Sequence, residues 1–192
     1  MNPTRSSLRQ YPVALRALLL FTVALGVVYP LAVTGIGQLA FASQANGSML
    51  TVDGAPVGSS LLGQSFTDSD GDPLPEWFQS RPSAAGEGYD ASASSGSNLG
   101  PSNPDLVAAI EERRAAIASL DGVDPAAVPA DALTASASGL DPDISPEYAL
   151  LQVRRVAEAR GLPEESVRAL VDDAVQGRDL GFLGDETVPN PS

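Results

Sequence analysis

The sequence predicts an α+β protein with one N-terminal transmembrane helix followed by a single small mixed α/β domain on the extracytoplasmic side. Three observations predict it. Residues 17–52 carry no charge, and the run Ala17–Phe41 is mostly Leu, Val, Ala, Phe and Gly, longer than the roughly 20 apolar residues a bilayer core requires. Residues 43–104 are rich in Gly, Ser, Asp and Pro with short apolar runs, the pattern of strands and turns. Beyond Asn103 apolar residues recur at three- and four-residue spacing in three separate stretches, the pattern of helices.

Taken in order, residues 1–16 read as a short basic cytoplasmic tail, because Arg5, Arg9 and Arg16 stand there without any acid. Residues 17–42 read as the transmembrane helix. A cleaved secretory signal is the competing reading, with Ala40-Phe41-Ala42 as its exit, but a signal's apolar region is about 7 to 15 residues, and this run is longer and continues past Pro30. The next Arg after the helix is Arg81, too distant to count in orientation, so the positive-inside rule places the N-terminus in the cytoplasm and residues 43–192 outside. Thr22, Gly26, Pro30, Val33 and Gly37 recur every three or four residues, a strip of mostly small groups where another helix can approach closely. Gly and Pro are also simply commoner in membrane helices.

In the acidic domain, residues 43–192, short apolar runs at Ser48–Val52 and Ser60–Phe66 suit strands, and Asp53-Gly54 reads as a hairpin turn. Asn103 is placed to cap a helix with Pro104 at its first position; Leu106, Ile110, Ile117 and Leu120 share one side before Asp121-Gly122 ends it. A second helix opens at Ser145-Pro146-Glu147, carries Leu150, Leu151, Val153 and Val156 inward and runs to Gly161. A third holds Val167, Leu170, Val171, Ala174 and Val175, and Gly177 ends it. The stretch Ala91–Ser102 has a linker's composition, but Asp90 and Asn98 can give such a segment fixed shape through side-chain turns.

Composition excludes whole chemistries. The chain has no Cys and no His, and all 11 basic residues are Arg. Serine-histidine triads, imidazole or thiolate metal sites, thiolate nucleophiles and disulfides are therefore absent, as are Schiff-base lysines and the P-loop lysine. Aromatic residues make up only 5%, so the core must rest on Leu, Val, Ile and Ala. Net charge is −13; beyond Arg16 eight Arg face 24 acids, which argues against nucleic acid as a partner.

The remaining chemical candidates are weak. Asp68-Ser69-Asp70-Gly71-Asp72 has the alternating acids of a calcium loop, but Pro73 and Gln79 stand where an EF-hand needs Gly and Glu, so an acidic surface turn is the better reading and no metal site is expected. Ser95–Gly100 is a Gly/Ser loop without the Lys of a P-loop. Asn46-Gly47-Ser48 matches a glycosylation sequon, a pattern common by chance. Asp141 and Asp143 offer a carboxylate pair for a hydrolase, or turn and cap residues.

An ordered set of blocks resembles one family. Tyr29-Pro30-Leu31 and Thr34-Gly35 in the helix are followed by Gln44–Ser48, Gly63–Thr67, Arg81–Ala84, Gly96–Pro104, Leu133–Asp141, Ile144–Pro146, Gln152, Arg155–Ala157 and Ala159–Leu162. In order and spacing the chain resembles the C subunit of the Kdp-type potassium-transporting P-type ATPase. Departures are the acidic turn between Thr67 and Trp77, Arg154 where the family usually has Pro, and the tail: only DETVPNPS follows Gly184, where the family tends to continue with an apolar segment. The tail is therefore expected to lack a C-terminal packing element.

The resemblance implies a non-catalytic accessory subunit of a high-affinity ATP-driven potassium uptake complex. Its partners would be a channel-like potassium-binding A subunit, an ATP-hydrolysing B subunit and a very small F subunit. It further implies a catalytic chaperone that raises the pump subunit's ATP affinity, with Gln152 as the match for a Gln linked to nucleotide contact. No cofactor is expected to be held firmly; ATP enters through the complex. With the N-terminus inside, the domain lies beyond cytoplasmic ATP, so the effect on ATP affinity is expected to pass through helix contacts and the conformational equilibrium of the complex. The readings outside this family are a membrane-tethered solute-binding module and a carboxylate-based hydrolase.

Overall fold

The computed structural model describes residues 3–190, with side chains from Gln10 onward. The chain divides at Met49 into two units.

The first unit is helical: α1 (Pro3–Val23), a π-helical turn (Ala24–Val28), α2 (Tyr29–Ala40) and the single turn α3 (Ala42–Ala45). Gln10–Ala40, 31 residues, is long and apolar enough to cross a membrane; at 1.5 Å per residue it extends about 46 Å, beyond a hydrocarbon core of about 30 Å. The helix also runs back through the expected basic tail, starting at Pro3, because Leu, Ala, Arg and Gln favour helix and Pro is tolerated at its first turn. Met1, Asn2 and the Arg5 and Arg9 side chains lie outside the described residues. The π-turn has a local cause. Pro30 lacks an N–H and its ring would strike the carbonyl four residues back, at Gly26; directly before it the helix widens, and the Tyr29 N–H donates to Ala24 O, five residues back.

The second unit opens with a hairpin, β1 (Met49–Val52) and β2 (Ala55–Ser59). Asp53 (φ 52°) and Gly54 (φ 80°) form its two-residue turn, the left-handed pair that a tight hairpin needs. The Ser60–Phe66 run, expected as a strand, is turns and extended chain instead. Its backbone groups pair with scattered partners, Leu62 N–H with Ser59 O and Gly63 N–H with Leu140 O, so no neighbouring strand aligns with it. After this irregular stretch come α4 (Pro104–Asp121), a 3₁₀ turn (Pro125–Ala127), α5 (Ala130–Leu133), β3 (Asp143–Ile144), α6 (Pro146–Arg160), α7 (Glu164–Ala174) and β4 (Val188–Pro189).

The helix ends follow local chemistry. Asn103 Oδ1 accepts from the Asp105 N–H at 2.7 Å and Ser145 Oγ from the Tyr148 N–H at 3.0 Å, satisfying donors a helix start leaves open. Gly122 and Gly161 take left-handed φ at the far ends. α7 stops at Ala174, three residues short of Gly177, because Gln176 leaves to pair with Thr187 in both directions, at 2.7 and 3.1 Å.

The core is small and aliphatic: Ala118, Leu133, Ile144, Tyr148, Ala149, Val153, Val156, Val167, Val171 and Val188 are all buried. Leu170, on the apolar side of α7, is 67% exposed. The tail corrects the expectation of a lost packing element. Val188 is 3% exposed, β4 pairs antiparallel with β3 (Ile144 opposite Val188), and Asn190 Nδ2 donates to Phe78 O and Ser80 Oγ. The tail is short, yet its one Val closes the core and its Asn ties down residues 78–80.

Candidate functional site

α6 presents a buried polar hub. Gln152 and Val153 are buried in the domain, Val156 is buried one helical turn later, and Arg155 lies beside them. The Arg155 guanidinium donates from Nε to Asp121 Oδ1 at 2.7 Å, from Nη1 to the carbonyls of Pro75 (2.6 Å) and Trp77 (2.9 Å), and from Nη2 to Gln152 Oε1 at 2.6 Å. Its side chain is 6% exposed and that of Asp121 1%. Burial raises the Asp121 carboxyl above its ordinary value, and the Arg155 ion pair opposes that rise.

Gln152 is fully buried. Its Oε1 accepts from the Gln79 N–H at 2.6 Å as well as from Arg155, and its Nε2 donates to Gln79 O at 3.1 Å. The side chain thus imitates a strand neighbour for Gln79 and presents no surface to a ligand in this conformation. Gln79 passes the connection on, donating from Nε2 to the carbonyls of Phe66, Leu74 and Trp77. Trp77 stacks on Phe66 with ring centres 5.1 Å apart, and the Arg160 guanidinium lies 4.7 Å over its ring. Irregular residues 75–79 are thereby clamped to α6 through side chains in place of a sheet.

A second clamp joins the Arg81–Ala84 and Leu133–Asp141 blocks. Arg81 Nη1 donates to Asp141 Oδ2 at 2.7 Å, Tyr89 Oη to Arg81 O at 2.6 Å, Ser83 Oγ to Gly139 O at 2.7 Å and the Ser136 N–H to Pro82 O at 3.0 Å. Burial raises the Tyr89 hydroxyl above its ordinary value. Gly139 (φ 70°) fits because it has no side chain: a Cβ there would stand 2.7 Å from Ala85 Cβ and from Ser95 O. An open cavity of about 730 Å³ borders this clamp, lined in part by Leu61, Arg81, Ser136, Ser138 and Asp141.

On the long apolar N-terminal helix, Thr22 and Gly26 are neighbours, since a Cβ on Gly26 would lie 3.9 Å from Thr22 Cγ2. Gly37 faces its own chain: a Cβ there would meet Ala45 Cβ at 3.7 Å. Pro30 and Val33 are exposed along the helix; Gly26 lies within the π-turn, with Thr22 before it and Pro30 and Val33 after it.

The other candidates prove to be turn-formers. Asp68 Oδ1 accepts from the N–H groups of Asp70 and Asp72 at 2.9 and 3.0 Å, an Asx turn. Asp90 Oδ1 accepts from Ser92 N–H and Oγ, and Asn98 Nδ2 donates to Gly96 O, so the serine-rich stretch has fixed shape; its Ser95 N–H donates to Ser138 O. Asp141 is committed to Arg81 and accepts the Asp143 N–H on its other oxygen. Asn46 exchanges two hydrogen bonds with the Gln38 amide.

Sequence reasoning missed the hub's other members. Asp121 reads there only as a helix end and Gln79 only as a failed calcium position. Arg154, noted as a departure, donates from Nη2 to the carbonyls of Asp121 and Gly122, closing the end of α4 where carbonyls lack partners. An Arg one helical turn from a Gln on the inward side of α6 was the available signal.

Comparison with known proteins follows these blocks. The family model described as "K+-transporting ATPase, c chain" matches residues 11–189. A "Potassium-transporting ATPase KdpC subunit" of Kineococcus radiotolerans is 57% identical over 181 residues, covering 94% of this chain and 89% of that protein. Proteins of the same description from Caulobacter vibrioides and Mycobacterium bovis are 56% identical over 177 residues (91% and 85% covered) and 52% identical over 182 residues (94% and 93% covered). From inside the long N-terminal helix to the β4 residues that close the core, this chain belongs to the KdpC family, the c chain of the potassium-transporting ATPase.

Proposed function

We propose that this chain is a non-catalytic accessory subunit that stabilises the potassium-uptake complex and raises the ATP affinity of the ATP-hydrolysing subunit from a distance. Its partners in this reading are the channel-like A subunit, the B subunit that holds ATP, and the small F subunit. The N-terminus lies in the cytoplasm and residues 43–192 outside, on the strength of Arg5, Arg9 and Arg16 before the helix and the absence of any Arg from there to Arg81.

The observation that carries the indirect mechanism is the state of Gln152. Fully buried, with both amide atoms bonded to Gln79 and Arg155, it acts as a positioning residue that holds residues 75–79 on α6. A ligand at a distant site shifts ATP affinity only if it favours one state of the pump over another. In this reading the clamped domain and the helix strip of Thr22, Gly26, Pro30 and Val33 favour the ATP-competent state.

Two measurements test this. Tagged chain extracted in mild detergent should bring down the pump subunits when all are coexpressed; failure to do so removes the assembly role. Added protease should cleave residues 43–192 in spheroplasts, whereas full protection places the domain inside and returns direct ATP contact to consideration.

A further inference from the structure

We propose that the β1–β2 hairpin is a second membrane contact, with the face carrying Leu50, Val52, Ala55 and Val57 resting in the headgroup and upper acyl region of the bilayer that the N-terminal helix crosses. The proposal rests on the membrane-spanning reading of that helix and is independent of ATP coupling.

The hairpin's geometry places these side chains together. A two-residue turn at Asp53-Gly54 sets Val52 opposite Ala55 and Leu50 opposite Val57, and alternate residues of a strand share a face. Among the described residues that face stays largely open: Leu50 is 36%, Val52 59% and Val57 48% exposed, and Ala55 is exposed as well. An isolated two-stranded hairpin is marginal in water and needs something against its apolar face.

Charge points to lipid. Between Arg16 and Asp68 the sole charged residue is Asp53, at the hairpin's tip, while the other 23 acids of this −13 chain all lie from Asp68 onward. The acids that keep the rest of the domain in water are missing from this stretch.

The connection between helix and hairpin is short. The Phe41 N–H donates to Gly37 O, and Asn46 exchanges two hydrogen bonds with Gln38, so the chain is held on the last turns of α2 as far as Asn46. Three Cα steps then lead to Met49, at most about 11 Å. The helix itself outruns the hydrocarbon core by about 16 Å, enough to end among headgroups. A protein partner is the less suitable occupant, because four small side chains cover only a few hundred Å², short of the roughly 800 Å² a stable partner surface needs on each side.

The chain has no cysteine, so single-cysteine variants can be spin-labelled without background. V52C and V57C on the apolar face, T51C on the other face, L31C in the helix and E111C on the exposed side of α4 would be prepared in the full chain. Each is reconstituted in phosphatidylethanolamine and phosphatidylglycerol vesicles, and its collisions with oxygen and with a water-soluble nickel chelate are compared. Labels at Val52 and Val57 should favour oxygen as Leu31 does, with Thr51 and Glu111 favouring nickel. Val52 and Val57 labels that read like Glu111 overturn the proposal, as do labels shielded from both reagents, which would mean that protein covers the face. If Leu31 itself favours nickel, the spanning helix is refuted along with the hairpin contact.

Discussion

Arg155 and Asp121, 34 residues apart in sequence, form a 2.7 Å ion pair whose side chains are 6% and 1% exposed. Three further hydrogen bonds from the same guanidinium reach Pro75, Trp77 and Gln152. Buried pairs stabilise little against an apolar replacement but are costly to break from one side, so this pair specifies where residues 75–79 lie more than it adds net stability.

Asp121→Ala leaves the Arg155 charge buried with carbonyl and amide oxygens alone. We expect a loss of about 3–5 kcal/mol, with the double variant D121L/R155M losing clearly less. Urea unfolding of the detergent-solubilised chain, followed by the fluorescence of its single tryptophan, Trp77, reads both; equal losses would contradict the account.

Gln152→Leu keeps the volume but strands the Gln79 N–H and carbonyl and one Arg155 N–H. At about 1–3 kcal/mol per buried unpaired group, with partial relaxation, a loss of about 3 kcal/mol is expected. Hydrogen exchange at Gln79 should quicken before that in the α4 core. In the assembled pump ATP affinity should fall while the isolated chain binds no ATP. Unchanged exchange at Gln79 would show that the amide is not the clamp.

Gly139→Ala places a Cβ against Ala85 Cβ and the Ser95 carbonyl at a left-handed φ. Strain and overpacking together predict a loss of about 2–4 kcal/mol. Gly100→Ala, where a Cβ meets nothing within 4 Å, is the control, and thermal melts of the two variants should separate clearly.

Burial raises the Tyr148 hydroxyl, 3% exposed, above its ordinary value. The folded chain therefore keeps a proton that the unfolded chain releases above pH about 10. This contribution is fully present below that pH and is lost as pH rises beyond it, at up to about 1.4 kcal/mol per pH unit. Urea midpoints between pH 9 and 11 should fall for the wild-type chain and fall less steeply for Tyr148→Phe.

Gly26→Leu should leave the isolated helix intact, since a Cβ there has 3.9 Å of clearance from Thr22. If this face receives a partner helix, the longer side chain blocks close approach. At least a tenfold drop in co-purified pump is expected, with Val27→Leu as the neutral comparison.

The sequence by itself determined whatever depends on neighbours along the chain. A helix long and apolar enough to cross a membrane forms where the apolar run predicts one, though it starts earlier, at Pro3, and the Asp53-Gly54 turn, the Asn103 and Ser145 caps and the glycine ends at Gly122 and Gly161 stand where local pattern places them, because a cap or tight turn is satisfied within a few residues. Tertiary structure alone decided the remainder. Residues 60–103 have no period to read, and their polar groups are met from far along the chain: Gln79 by Gln152, Pro75 and Trp77 by Arg155, Pro82 by Ser136. The same holds for the tail, where Val188 joins the core only because β3 lies open beside it. Gln152, singled out by resemblance for a ligand, is turned inward by its place on α6, where burial requires that every polar atom find a partner in the protein.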